Sequence, residues 1–196
     1  MEHICHNKKC IFIHVPKVAG RSVAESLGWD RESYGGHHQA VLLKETYANV
    51  YDEYFTFGFC RNPITRTISA YNYFKNSKTF KRQSIDGEVF DAVDSTSNFH
   101  EFCKSFLINS DPLRLIDHLK PQHYFLCDSE DKILVDFLGR FESIGRDFKT
   151  ITSKLNIKVE LPHKNKGTKQ YDTNKETEDL IKEIYKKDFE IFNYGL

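Results

Sequence analysis

Residues 12–23 read FIHVPKVAGRSV. The apolar run over residues 10–15 ends at Pro16, as a strand buried on both faces would. Lys17 and a small turn containing Gly20 follow. Val23, Ala24 and Leu27 then fall at helical spacing, and Gly28 stops the helix. A junction of this kind brings main-chain N–H groups, the positive end of a helix and a lysine to one small volume, which suits an anion such as phosphate or sulfate.

A second junction, FTFGFCRNPITRTISAYNYF, occupies residues 55–74. The strand over 55–60 runs into Arg61, and Asn62-Pro63 opens a helix: Asn caps, and Pro at the first position lacks a donor that the helix would not use. Ile64, Ile68 and Tyr71 form the apolar stripe, which leaves Arg66, Ser69 and Tyr73 on other parts of the surface. Two basic junctions imply a ligand with two anionic ends.

Neither junction is a nucleoside-triphosphate P-loop. The GxxxxGK[ST] pattern would need Gly where Val15 stands and Lys where Arg21 stands. Lysine precedes the glycine here, which disfavours a nucleotide kinase.

The chain has 196 residues, enough for one substantial core, so a single domain over 1–196 is expected. Lys plus Arg equals Asp plus Glu at 28 each, and this balance gives no reason to expect nucleic-acid binding or adsorption to an acidic membrane. The apolar runs are only strand-length, so no membrane insertion is expected, and neither a signal peptide nor an anchor is read at the start. Five scattered cysteines, Cys5, Cys10, Cys60, Cys103 and Cys127, argue against a disulfide framework and for reduced thiols. Cys5 and Cys10 lie beside His3 and His6, but the spacing fits no zinc knuckle, and no metal is expected there.

Elsewhere the pattern predicts a short helix through Val41, Leu42 and Tyr47, a polar loop over 75–97 and a helix through Phe99, Phe102, Cys103 and Phe106. Strands are predicted over 123–127 and 133–137, a helix over 144–155, and a C-terminal helix through Leu180, Ile184, Phe189 and Phe192. Alternating strands and helices imply an α/β fold, with a mainly parallel central sheet covered on both faces.

The two junctions together resemble the sulfotransferase superfamily, whose donor is 3′-phosphoadenosine 5′-phosphosulfate (PAPS). The nearest branch is that of carbohydrate sulfotransferases of the heparan sulfate 2-O type and their small bacterial relatives. A first motif like PKTAGTS is matched by Pro16-Lys17-Val18-Ala19-Gly20-Arg21-Ser22, and a second like RNPxxRxxSxY by Arg61, Asn62, Pro63, Arg66, Ser69 and Tyr71. The likeness continues in Pro121-Gln122, in GRFE ending at Glu142, in Asp147-Phe148 and in Tyr185, Asp188-Phe189, Phe192 and Tyr194. It implies a P-loop-like, three-layer α/β fold. Members in the eukaryotic secretory pathway carry an N-terminal anchor; its absence here suggests a cytoplasmic, bacterial or viral form, or a trimmed one.

What the resemblance implies for the site is specific. Lys17 faces the bridging oxygen of the departing phosphate, where charge builds in a loose, in-line transfer. The N–H groups from Ala19 through Gly20, Arg21 and Ser22 to Val23, with the Ser22 hydroxyl, hold the 5′-phosphate. Arg21 stands where the family has a smaller residue; contact with phosphate, contact with acceptor and a surface ion pair all remain open for it. Arg61 and Ser69 take the 3′-phosphate. Arg66 either braces the region through a carboxylate or touches the nucleotide. Lys164, Asn165 and Lys166 match the place where chain closes over the nucleotide. The general base falls in the loop after the first helix, at His37 or His38, with Ala40 as register mark favouring His37. His14, Glu142 and Asp188 read as structural.

The function expected is transfer of a sulfuryl group from PAPS to an acceptor hydroxyl, with a carbohydrate as the acceptor class and adenosine 3′,5′-bisphosphate as product. A catalytically degenerate nucleotide binder, suggested by Val18 and Arg21, is the alternative, with a small nucleotide kinase behind it. Oligomeric state is not legible.

Overall fold

The structure is a computed structural model that describes residues 4–29, 36–76, 87–162 and 173–195. In chain order its elements are β1 (Ile4–Cys5), β2 (Cys10–Ile13), α1 (Gly20–Ser26), α2 (Ala40–Thr46), α3 (Ala48–Tyr51) and β3 (Phe55–Cys60). They continue with α4 (Pro63–Asn76), α5 (Gly87–Ser95), α6 (Phe99–Ser105), α7 (His123–Leu126), β4 (Phe137–Arg140), α8 (Ile144–Lys154), α9 (Lys175–Ile184) and α10 (Lys186–Ile191). The contacts divide the chain into two compact units, Met1–Arg61 with Gln122–Thr168, and Asn62–Pro121 with Lys169–Leu196.

The first unit holds a four-stranded sheet in the order β1-β2-β3-β4, mixed α/β in class and mostly parallel. β1 and β2 form an antiparallel pair, whereas β2 pairs parallel with β3 and β3 parallel with β4. All four residues of β2 are buried, as are Phe57 and Phe59 of β3, the continuous apolar pattern of strands covered on both faces. Thr56 is the polar exception inside β3. Its N–H and hydroxyl both donate to one carboxylate oxygen of Asp136, at 2.8 and 3.0 Å, so the segment entering β4 is tied to β3 in register. Gly139 gives room for Phe59, because a β-carbon there would collide with the phenyl ring.

β3 and α1 lie where the pattern placed them. Residues 123–127 do not: they form α7, with only a single bridge between Cys127 and Ile133, and the strand expected over 133–137 comes later, as β4. Gln122 decides the first difference, since its carbonyl accepts from the N–H groups of Phe125 and Leu126 and starts a helical turn.

The second unit is helical and closes around an aromatic core. Phe74 packs edge-on against Phe90 at 5.1 Å, and Tyr71 against Phe99 and Phe102, each at 5.3 Å. Asn62 caps α4, its side-chain oxygen accepting from the Ile64 N–H at 2.9 Å. The polar loop expected over 75–97 is wrong over most of its described part: α4 reaches Asn76, and α5 buries Val89, Phe90, Ala92 and Val93. Arg66 is buried and donates to the Lys120 carbonyl at 2.8 Å. The C-terminal helix is two, α9 and α10, meeting at Tyr185, whose hydroxyl donates to the Leu119 carbonyl at 2.7 Å. Among the described residues no helix is long and apolar enough to cross a membrane.

Candidate active site

The three parallel strands of the first unit deliver their following residues to one edge of the sheet. Beyond β2 comes the turn of Pro16 to Ala19. Two of its residues, neither of them glycine, hold left-handed backbone, Lys17 with φ 70° and Ala19 with φ 65°. Such residues persist only where surroundings over-determine them, and turns of this kind gather successive N–H groups on one side. The Ser22 and Val23 N–H groups donate back to the Ala19 carbonyl, at 2.9 and 3.2 Å. Those of Ala19, Gly20 and Arg21 meet no acceptor among the described residues. Val18 is fully buried and Arg21 is exposed, so the two departures from the motif differ in consequence: one is core, the other surface.

Gly20 has a definite partner. A β-carbon at that position would overlap the imidazole of His14, which is therefore pressed against the first residue of α1. The His14 ring also lies 4.3 Å from that of His37, centroid to centroid. The main-chain carbonyl of His14 also meets His37 Nδ1 at 3.1 Å. A carbonyl only accepts, so Nδ1 carries the proton, and in the neutral imidazole the basic lone pair lies on Nε2. His37 packs edge-on to Phe125, with centroids 6.4 Å apart. Gln39 anchors the same segment by donating to the Tyr124 carbonyl at 3.1 Å. His38 is half-buried, and no bond or ring contact ties it to this group among the described residues. The structure thus ties His37 to His14, the residue before Val15 and Pro16, and shows no such tie for His38 among the described residues.

Arg61 follows β3 and is only 5% exposed. Its Nη1 donates to the carbonyl of Lys17 at 3.1 Å, and its guanidinium lies 4.1 Å over the ring of Phe141. Its main chain is clamped by Gln122, a fully buried side chain that accepts from the Arg61 N–H at 2.9 Å and donates to the Arg61 carbonyl at 2.8 Å. Beyond β4, Asp147 caps the bend into α8, accepting from the Arg140 N–H, the Ser143 hydroxyl and Arg146 Nε at 2.8, 2.8 and 3.0 Å. Burial raises its pKa, but these bonds outweigh that and hold it below the ordinary carboxylate value.

A model of the Sulfotransferase family matches residues 3–195. The chain belongs to this family. A relative in Archaeoglobus fulgidus, an uncharacterized protein, is 30% identical over 112 residues, which cover 57% of this chain and 76% of that one. No solved structure matches.

Within this sulfotransferase the residues singled out from sequence divide by unit. Lys17, Ala19, Gly20, Arg21, Ser22, Val23, His37 and Arg61 share the first; Ser69 is half-buried on α4 of the second, and its assignment stands on the motif. Sequence reasoning assigned no role to Gln122 or Phe141, although both fall in stretches that carry the family likeness. Gln122 carries the stronger signal, being an amide beside a proline at the start of a helical turn. Lys164, Asn165 and Lys166 lie outside the described residues, as do His3 and Gly35. Among the described residues no three His, Cys, Asp or Glu side chains group as a metal site requires.

Proposed function

We propose that this sulfotransferase, acting as one P-loop-like domain of the heparan sulfate 2-O type, moves a sulfuryl group from PAPS to a hydroxyl of a carbohydrate. PAPS would supply an SO3 unit on a phosphate leaving group. Lys17 neutralises charge that grows on the bridging oxygen, and the turn from Ala19 to Val23, with the Ser22 hydroxyl, receives the 5′-phosphate. Arg61 takes the 3′-phosphate, and the motif assigns Ser69 to the same group. His37 accepts the proton of the attacking hydroxyl at Nε2. The observation that carries this reading is that the Lys17 turn, Arg61 and His37 fall in one unit, with Arg61 bonded to the Lys17 carbonyl and His37 to the carbonyl of His14 in the segment leading to that turn.

The donor chemistry fits this chain's residues. A strained turn whose Ala19, Gly20 and Arg21 N–H groups meet no acceptor among the described residues, beside a lysine and a buried guanidinium, is suited to a bisphosphorylated nucleotide. Adenosine 3′,5′-bisphosphate is expected to raise the melting temperature by mass action, and AMP much less. Equal shifts from the two nucleotides would refute a dedicated 3′-phosphate contact. Transfer from labelled PAPS into pools of carbohydrate, lipid and phenolic acceptors then assigns the acceptor class, and label only in a non-carbohydrate pool would overturn that part. Binding of the bisphosphate without transfer to any pool would leave the degenerate binder as the reading.

A further inference from the structure

We propose that Cys5 and Cys10 form a dithiol–disulfide site, at which a low-molecular-weight disulfide oxidises the pair to a cross-strand disulfide bond. The two residues are direct partners in the antiparallel pairing of β1 with β2. Direct partners share one face of a sheet, with α-carbons about 4.5–5.5 Å apart. Disulfides span α-carbon separations of about 4.4–6.8 Å, so the bond asks for little backbone movement. The remaining cysteines sit elsewhere, Cys60 in β3, Cys103 in α6 and Cys127 after α7, and all three are buried.

The two thiols have unequal parts. Cys5 is half-buried and meets the reagent, whereas Cys10 is fully buried in the core. Burial, then the neighbouring Cys5, pushes the Cys10 thiol up to about 12, so Cys5 is the first nucleophile. The Cys5 thiolate attacks one sulfur of the small disulfide and expels the other half as a thiolate. Cys10 then attacks the Cys5 sulfur, its proton passes to the second departing thiolate, and the intramolecular bond forms. Two protein thiols are oxidised, and one small disulfide is reduced to two thiols. The intervening turn is already formed: it is closed by the Lys9 N–H on the His6 carbonyl at 3.2 Å, and His6 is held to the Tyr54 hydroxyl at 2.8 Å. The bond would fasten β1, an edge strand of the sheet, covalently to β2.

The test is disulfide mapping. The protein is equilibrated with oxidised glutathione in excess over reduced, quenched in acid, alkylated and digested with trypsin. Because Cys10 is buried, a second sample is refolded in the same buffer, so that slow access does not hide the equilibrium. Cleavage after Lys8, Lys9 and Lys17 parts the two cysteines, so an intact bond joins residues 1–8 to residues 10–17. The expected product is this linked pair, lighter by the two hydrogens lost and split by dithiothreitol, in the refolded sample at least. Cys5→Ser is expected to abolish it. A final state in both samples with glutathione on Cys5 and a thiol on Cys10, or with both as thiols, would overturn the proposal.

Discussion

Arg61 Nη1 donates to the main-chain carbonyl of Lys17 at 3.1 Å. The residue assigned to a static phosphate thus also fastens the turn that carries the residue assigned to the leaving group. Arg61→Lys keeps a charge but loses the fork that reaches the Lys17 carbonyl while lying on Phe141. It is expected to weaken adenosine 3′,5′-bisphosphate binding and to lower the saturated transfer rate together, each by roughly tenfold or more for a lost charged hydrogen bond. Lys17→Ala is expected to slow transfer about a hundredfold with the bisphosphate affinity nearly kept, since its contribution grows only in the transition state. Single-turnover rates at saturating PAPS beside calorimetric affinities check both. A Lys17→Ala enzyme that turns over normally but binds the bisphosphate poorly would reverse the two roles.

Phe141 touches Arg61 without belonging to the Lys17 turn. Phe141→Leu removes the flat surface under the guanidinium and keeps an apolar side chain, at a cost of about 0.5–2 kcal/mol in the stacked contact. The bisphosphate affinity is expected to fall severalfold while the chain stays folded by circular dichroism. Unchanged affinity would mean that the stacking is incidental.

The base assignment separates two adjacent histidines. His37→Ala is expected to abolish most transfer and to spare bisphosphate binding, and His38→Ala to do much less, because only His37 is tied to the His14 carbonyl. Wild-type transfer should decline on acidification as the imidazole takes up a proton and loses its lone pair. Imidazole tautomers are read directly by nitrogen NMR. A neutral His37 with its proton on Nε2 would contradict the hydrogen bond to His14.

Asp147 offers a stability test. Its folded pKa lies below the unfolded value, so the stability it contributes is present above the unfolded pKa and is lost as pH falls through the folded one. Asp147→Asn exchanges one accepting oxygen for a donor among three donors, and is expected to cost about 1–3 kcal/mol at neutral pH. Denaturation curves for mutant and wild type should converge as the pH falls through the lowered Asp147 pKa to the acid side of it. A constant gap down to that pH would place the cost elsewhere than in the charged carboxylate.

The junctions were legible because each is local: strand, turn and helix follow one another over residues 10–26 and 55–76, and periodicity reads such segments well. The connection between them was not. The bond from Arg61 to the Lys17 carbonyl, the Gln122 clamp and the Phe141 ring bring together residues far apart in sequence, and no spacing rule encodes them. α5 was missed for a different reason. Val89, Phe90 and Val93 carry a helical pattern, but Asp91, Asp94 and a polar stretch before Gly87 lowered the mean hydropathy and masked it. α7 is four residues of HYFL, too short for periodicity to tell a helical turn from a strand.

The parallel sheet also dictates when the site comes into being. β2 must wait for β3, and β3 for β4, because Ile13 pairs with Gly58 and Cys60 with Arg140. Each closure is paid for in chain entropy before it returns anything, so the assembly is a late event in folding. A nascent chain emerging from the ribosome has already exposed Lys17 and Arg61 long before Phe141 is made. Until then the guanidinium has no aromatic surface to lie on and β3 has no neighbour on that side. Premature termination anywhere before β4 would leave both signature motifs intact in a polypeptide without the surroundings that hold them in their working geometry.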